Sequence, residues 1–309
     1  MNILIVDEVH PSLFEMLDQA GLAYRYEPLF KRAQILEYIV DFEGLIIRSK
    51  TPVDVELLNC ATRLKFVARA GAGLDLIDLD ETQKRNIQVF AANEGNSDAV
   101  AEHVVGMLLG LLANIVKADK EVRQGIWDRE GNRGIELMGK TVGIIGFGFN
   151  GGATAKRLSG FGCKVLAYDK YLKNYGNEYA QEATLEQIKA QADVISLHIP
   201  LTEDTRLMLD ETFIQEVAKP FFLINIARGE IVSLAAVVEA LESGKIRGAC
   251  LDVLENEKLA KLTPSQQKAF DYLRNSPRVI LTPHVAGWTQ ESYYKINEAL
   301  IKQIVAFAE

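Results

Sequence analysis

The chain has 309 residues, enough for two domains that each bury a core, and its 48% hydrophobic and 25% charged content is that of a globular protein. A net charge of −8 argues against nucleic acid or an anionic membrane as the main partner, so an anionic ligand must be held by local basic groups. Three cysteines, Cys60, Cys163 and Cys250, stand far apart without CxxC spacing, which excludes a disulfide framework and a thiolate metal site and suits a reducing cytosol.

The opening residues, MNILIVDEVH, read as a strand and not as a signal peptide, because no basic leader precedes them and Asp7 ends the apolar run. No apolar run approaches the ~18 residues that span a bilayer. Short apolar runs then alternate with amphipathic segments. Strands are predicted at 3–7, 44–48, 66–70, 89–91, 141–145, 164–168, 194–198, 221–225, 248–253 and 279–281, with helices at 12–20, 31–39, 53–61 and 234–242 among others. Gly21 and Gly244 stand where helix C-caps belong. A long helix is expected from Ser97, as N-cap, to about Lys117, and a last one over 290–308. The alternation means α/β with parallel sheets. The last helix follows the nucleotide-binding block and cannot extend its sheet, so it is expected to pack on the first block. A substrate domain of residues 1–95 and 284–309 and a nucleotide domain of residues 96–283 would then enclose a cleft.

Residues 142–169, VGIIGFGFNGGATAKRLSGFGCKVLAYD, carry the most information. A strand runs into Gly146, Gly148 and Gly151. A helix follows, then a second strand ending on Asp169, 18 residues beyond Gly151. This is the order of a dinucleotide-binding βαβ unit: one glycine for the tight turn, one for close approach to a pyrophosphate, one for helix–strand packing. The helix N-terminus would face the phosphates with N–H groups and a partial positive charge. A carboxylate at Asp169 accepts from ribose hydroxyls and repels a 2′-phosphate, which favours NAD; Lys170 beside it partly offsets that repulsion.

Four histidines are candidates for proton transfer. His10 reads as a surface residue and His103 as a polar helix position at a contact. His198 ends a strand at the carboxyl edge, where cofactor-side packing is expected. His284, in LTPHVAGWT after the last strand, is the best general acid, with a structural histidine an equal alternative. Arg228, in INIARGEIV, sits where an arginine can grip a carboxylate bidentately or merely cap a turn. Glu257 is either a solvated loop charge or a partner for a base, and Asp252 either faces a nicotinamide or caps a turn. No GxSxG elbow and no metal-ligand spacing is present.

Taken together, ARAGAGLDLID (68–78), NEGNSDAVAEHVVGMLL (93–109), GKTVGIIGFGFNG (139–151), HIPLTEDT (198–205), INIARGEIV (224–232), LDVLENE (251–257) and TPHVAGWT (282–289) resemble the D-isomer-specific 2-hydroxyacid dehydrogenases over nearly the whole chain. The resemblance implies two doubly wound parallel-sheet domains, a Rossmann NAD-binding domain and a flavodoxin-like substrate domain. It implies that Arg228 binds substrate and that His284 is the acid/base paired with Glu257. The cofactor NAD would meet Gly146, Gly148, Phe149, Asn150, Gly151, Asp169, His198, Pro200, Thr205, Ala227, Asp252 and Gly287. N–H groups around Ala72 and Gly73 would hold the substrate carboxylate. A homodimer is implied, with the Trp127 region and the long helix near its contact.

IIRSKT (46–51), ARAGAG and GNS (95–97) look most like members that oxidise D-3-phosphoglycerate to 3-phosphohydroxypyruvate in serine biosynthesis. Arg48, Ser49, Lys50 and Arg69 are then expected at the substrate, with Arg129 or Arg133 of a partner subunit adding charge; for each cation a solvated surface position is an equal alternative. The alternatives are a reductase of glyoxylate, hydroxypyruvate or another 2-oxo acid, and an NAD(H)-sensing scaffold. A cytoplasmic location and no metal are expected, and at this length no appended regulatory domain. Two departures from the family pattern stand out. Phe149–Asn150 replaces the usual Arg-Ile after the second glycine, removing a cation from the pyrophosphate. Lys258 replaces the usual proline after the glutamate, ahead of a longer polar stretch to Ser276.

Overall fold

The computed structural model describes residues 1–71 and 73–308. They form two compact units, Met1–Ser97 with Trp288–Glu309, and Asp98–Gly287. In chain order the first unit holds β1 (Asn2–Ile5), α1 (Ser12–Gln19), β2 (Ala23–Tyr26), α2 (Arg32–Tyr38), β3 (Gly44–Ile47), α3 (Val55–Cys60), β4 (Phe66–Arg69), α4 (Leu79–Lys84) and β5 (Gln88–Ala91). The second unit follows with α5 (Ser97–Leu112), α6 (Ile115–Arg123), β6 (Thr141–Ile145), α7 (Phe149–Leu158), β7 (Lys164–Tyr168), β8 (Gln181–Glu182) and α8 (Leu185–Gln191). It continues with β9 (Val194–Leu197), α9 (Glu211–Glu216), β10 (Phe221–Asn225), α10 (Leu234–Ser243), β11 (Ile246–Leu251), α11 (Pro264–Asn275) and β12 (Val279–Leu281). The chain then returns to the first unit as α12 (Gln290–Ala308).

The first sheet has five parallel strands in the order β2-β1-β3-β4-β5, the flavodoxin-like order. The second has seven parallel strands, β12-β11-β10-β9-β6-β7-β8, a doubly wound Rossmann sheet whose order reverses at β6 and β9. Both are covered on both faces. In β10, Phe221 and Leu223 enter one core and Phe222 and Ile224 the other; in β1, Ile3 and Ile5 enter one, and Leu4, with Val6 just beyond the strand, the other. Strands buried on two faces read as unbroken apolar runs, which is why these were visible in the sequence.

α12 packs on the first sheet, placing Leu300 and Ile304, both fully buried, beside Ile3, Ile5, Phe66 and Phe90. Burying each such side chain is worth about 1.5–3 kcal/mol. Polar caps set many helix starts: Asp54, Asp78, Thr184, Asp210, Ser233 and Thr263 each accept an N–H of the first turn. Gly244 closes α10 at φ +78°.

The long helix expected from Ser97 to about Lys117 is two helices. Asn114 adopts φ +55°, ending the first, and α6 leaves at 61° to α5. Ser97 is the first residue of α5 and donates its hydroxyl to the Glu94 carbonyl at 2.9 Å instead of capping the helix. Two strands were not foreseen. β2 is an exposed, polar edge strand, and β8 has two residues. Among the described residues, no single helix is long and apolar enough to cross a membrane, and no group of His, Cys, Asp or Glu could hold a metal ion.

Candidate active site

In the second unit the glycine-rich turn lies between β6 and α7. Gly146 adopts φ +96°, and a Cβ on Gly151 would lie 2.0 Å from the Gly146 carbonyl oxygen, so only glycine permits this approach. A Cβ on Gly148 would meet nothing within 4 Å. The first N–H groups of α7 have no acceptor within the helix. The side-chain oxygen of Asn150 is buried without a partner. Phe149 is 55% exposed at the helix start. An open backbone and a helix N-terminus with free N–H groups fit a dinucleotide phosphate, whereas the Asn150 oxygen, an acceptor, would need a donor; no side-chain cation stands in the turn itself, so phosphate binding would rest on N–H groups and the helix dipole.

Asp169 ends β7. Its Oδ2 accepts from the Phe147 N–H at 2.9 Å, and its Oδ1 from the N–H groups of Tyr171 and Leu172 at 2.9 and 3.0 Å. Partial burial pushes the carboxyl pKa up, but these three N–H groups outweigh it and hold the pKa below its ordinary value. Lys170 is drawn off by Asp204 at 2.6 Å, so its charge is spent beside the carboxylate. His198 contacts the Ser196 hydroxyl through Nε2 at 2.8 Å, while Nδ1 is buried without a partner. Burial pushes its pKa down to about 3, so it stays neutral, in keeping with packing and not with proton transfer at neutral pH. Thr205 caps its own turn, donating to the Pro200 carbonyl at 2.7 Å.

The ends of β10, β11 and β12 assemble a second cluster. Asn225, 1% exposed, accepts the Ala227 N–H and donates to the Arg228 carbonyl, both at 3.0 Å, shaping the turn that presents Arg228. Gly229 lets that turn pack on the next loop: a Cβ there would lie 1.9 Å from the Leu254 carbonyl oxygen. The Arg228 turn thus packs directly on the loop that leads to Glu257. Past β11, Asp252 is 1% exposed and accepts from the N–H groups of Val285 and Ala286, both at 2.9 Å, and from the Thr282 hydroxyl at 2.5 Å. Its carbonyl accepts the His284 N–H at 2.7 Å. Since Thr282 gives its one proton to Asp252, its oxygen accepts from His103 Nε2 at 3.1 Å.

These bonds fix 282–286 and hold His284 at φ +56°, a backbone state costly for a residue with a Cβ. His284 Nδ1 meets Glu257 Oε1 at 2.9 Å and Oε2 at 3.2 Å, with both side chains about half exposed. With Nδ1–H donated to the carboxylate, neutral His284 offers Nε2 as a proton acceptor. Residues 284–287, expected with the substrate domain, stay with the second unit because Asp252 binds their backbone.

In the first unit, a buried carboxylate at the end of β1 organises the segment expected to meet substrate. Asp7 Oδ2 accepts from the N–H groups of Arg48, Ser49 and Lys50 at 2.7, 2.9 and 3.0 Å, and Oδ1 from the Thr51 hydroxyl at 2.6 Å. Burial raises the carboxyl pKa, but the Thr51 hydroxyl and the backbone N–H groups prevail and hold it below its ordinary value. Lys50 donates to the carbonyls of Val6 and Pro28 at 2.9 and 2.6 Å, so its ammonium ties this domain together. Arg69 Nε donates to the Arg48 carbonyl at 2.9 Å. The Arg48 guanidinium donates to the Glu8 carbonyl and the Tyr293 hydroxyl, and faces the rings of Trp288 and Tyr293 at 4.5 and 4.6 Å. Gly73 lies half-buried in the loop after β4; Ala72 lies outside the described residues.

Of the remaining candidates, Arg133 pairs with Glu130 at 2.7 Å and His10 with the Ser12 hydroxyl at 2.9 Å. Sequence reasoning did not single out Asp7, the His103–Thr282–Asp252 chain, Trp288 or Tyr293. Asp7 could have been found: a lone acid ending a strand lies at the carboxyl edge, where α/β sheets place their working residues.

Residues 105–286 match the NAD binding domain of the D-isomer specific 2-hydroxyacid dehydrogenases, more than half of the chain. The chain is 32% identical over its full length to a D-3-phosphoglycerate dehydrogenase of Archaeoglobus fulgidus, covering 58% of that protein. It is 36% identical to a glyoxylate reductase of Thermofilum pendens, over 89% of this chain and 81% of that one. A solved D-lactate dehydrogenase of Aquifex aeolicus, complexed with NAD and lactic acid, superposes with a TM-score of 0.84 at 28% identity, covering 100% of this chain and 95% of that one. The chain spans 50–58% of the length of the first curated phosphoglycerate dehydrogenases it matches.

Proposed function

Because the chain belongs to the D-isomer specific 2-hydroxyacid dehydrogenase family and carries its NAD binding domain, we propose that it oxidises D-3-phosphoglycerate to 3-phosphohydroxypyruvate. The observation that carries the chemistry is the Glu257–His284 contact of 2.9 Å on loops fixed by Asp252 and Gly229. NAD, when bound, supplies the acceptor for the hydride from C2. His284 Nε2 takes the hydroxyl proton, and Glu257 stabilises the imidazolium so formed and fixes its tautomer. Arg228 grips the carboxylate and polarises the C2 oxygen as it becomes a carbonyl. Gly146, Gly148, Gly151 and the start of α7 would hold the pyrophosphate, with Asp169 on the ribose hydroxyls.

For the substrate's phosphate, Arg48 is the cation we assign, with Arg69 behind its backbone. A reductase of glyoxylate or another 2-oxo acid is the second reading, favoured by the likeness to the Thermofilum pendens protein. NADH absorbance with a panel of phosphorylated and unphosphorylated 2-hydroxy and 2-oxo acids tests both. Turnover of D-3-phosphoglycerate well above D-glycerate is expected; preference for glyoxylate would overturn the substrate assignment, and NADH binding without any turnover would leave a sensing role.

We assign the protein to homodimers through α6 and the residues after it. No residue of α6 is buried, and Ile115, Val116, Val122, Ile126 and Trp127 are about half or more exposed. Light scattering of the purified chain tests this; a monomer at micromolar concentration overturns it. A cytoplasmic role at the opening step of serine synthesis follows from the same reading.

A further inference from the structure

Arg48 differs from the other arginines around it in how its charge is met. Arg32 pairs with Asp54 and Glu56, and Arg85 with Glu81. Arg25 is the closest parallel: it too lies over two rings, Phe30 and Tyr38, but Glu27 sits on its Nε at 2.8 Å. Stacking on aromatics is thus compatible with a structural role when the charge is neutralised. Arg48 meets no carboxylate among the described residues. Its partners are a carbonyl, a phenol hydroxyl and two ring faces. The rings of Trp288 and Tyr293 stand 5.3 Å apart at 74°, so the guanidinium lies in a corner. Its backbone is pinned from both sides, the N–H by Asp7 and the carbonyl by Arg69. Two of its five N–H groups are engaged, which leaves a fork of donors in a fixed plane.

We infer that Trp288 and Tyr293 are specificity-determining positioning residues, which hold Arg48 as a pre-set fork for a phosphate monoester on the substrate. The inference rests on the reading given above. The rings do not touch the reacting carbon. They orient the cation without neutralising it, because a ring face attracts a guanidinium while leaving its N–H edge to an anion. A carboxylate in the same place would hold Arg48 equally well and repel the phosphate. Trp288, 59% exposed, is large and apolar for a surface position, as a residue kept for this contact would be.

The test separates this from the substrate reading. Trp288→Leu and Tyr293→Leu are each expected to raise KM for D-3-phosphoglycerate about 3- to 30-fold, the range of a lost cation–π contact, with kcat within about twofold. KM for D-glycerate should move less than about twofold. Tyr293→Phe, which keeps the ring, should recover most of the loss. In an Arg48→Ala background, Trp288→Leu should add nothing, since the rings act only through Arg48. Independently, Trp127→Phe leaves Trp288 as the sole tryptophan. Its emission should then change saturably with D-3-phosphoglycerate and with inorganic phosphate, and not once Arg48 is alanine. Equal losses on phosphorylated and unphosphorylated substrates, additivity with Arg48→Ala, or emission indifferent to both anions would each overturn the inference. If the wild type fails to oxidise D-3-phosphoglycerate, the substrate reading falls, and the phosphate titration alone decides the role of the rings.

Discussion

In the second unit the histidine after β12 meets a carboxylate at 2.9 Å, whereas in the first unit the arginine after β3 meets only carbonyl, hydroxyl and ring groups. Both side chains sit on loops held by a buried aspartate through backbone N–H groups, Asp252 in one case and Asp7 in the other. The scaffolding principle is the same and the electrostatics are opposite. On the proposed reading, His284 as proton acceptor gains from a counter-charge beside the charge it forms, and Arg48 as binding cation keeps its charge unspent because neutral groups steer it.

The sharpest way to break this contrast is at the histidine. His284→Ala should lower kcat/KM by ~10²–10⁴-fold, as for loss of a general base, and Glu257→Gln by a smaller factor. Stopped-flow NADH formation measures both, and near-normal rates in His284→Ala would remove the assignment. Next in size is the aspartate under the first loop. Asp7→Ala strands buried N–H donors and should cost about 2–4 kcal/mol of stability. Since the folded pKa of Asp7 lies below the unfolded value of 3.8, its stabilisation is complete above that value and fades as pH falls through the folded pKa. Urea titrations between pH 3 and 7 should therefore show acid weakening in the wild type that Asp7→Asn lacks. A variant as acid-sensitive as the wild type would deny Asp7 this role.

A smaller effect belongs to His198. With a folded pKa of about 3 against 6.5 unfolded, its neutral form stabilises fully above 6.5, and this is lost as pH falls toward 3. His198→Gln should flatten that slope, by on the order of 1–3 kcal/mol across the window. Smallest is Lys170→Ala. The Lys170–Asp204 pair is exposed, so melting temperature and NAD affinity should hardly move, and the ratio of NADP to NAD activity should stay as in the wild type. A large gain in NAD selectivity would mean that Lys170 does act on Asp169.

The parts of this architecture that could be read from the chain are those written in consecutive residues. β6 and β10 are apolar on both faces, and the Gly146–Asp169 segment lies within one βαβ unit. β2 was missed because an exposed edge strand, AYRY, has no apolar face to repeat. The break at Asn114 was missed because one left-handed residue does not interrupt hydrophobic periodicity. Arg228, Glu257 and His284 were recognisable only as a set, through family resemblance; singly, each had an ordinary structural explanation. The supports of Arg48 were invisible for a simpler reason. Asp7 lies 41 residues from it in sequence and Tyr293 lies 245, and no local pattern spans such distances.

The first unit is built from both ends of the described chain, and this bears on synthesis at the ribosome. Ile3, Ile5, Phe66 and Phe90 wait for Ala299, Leu300, Ile301 and Ile304 of α12 to cover them. About 190 residues separate Ser97 from Trp288, which at bacterial to eukaryotic elongation rates is about 10–40 s. During that interval the whole second unit emerges and can fold on its own contacts, while the apolar face of the older segment stays open to chaperones or to neighbouring nascent chains. The segment before Ser97 is thus translated ahead of the second unit yet completed after it, and its exposure to aggregation is set by how quickly α12 arrives.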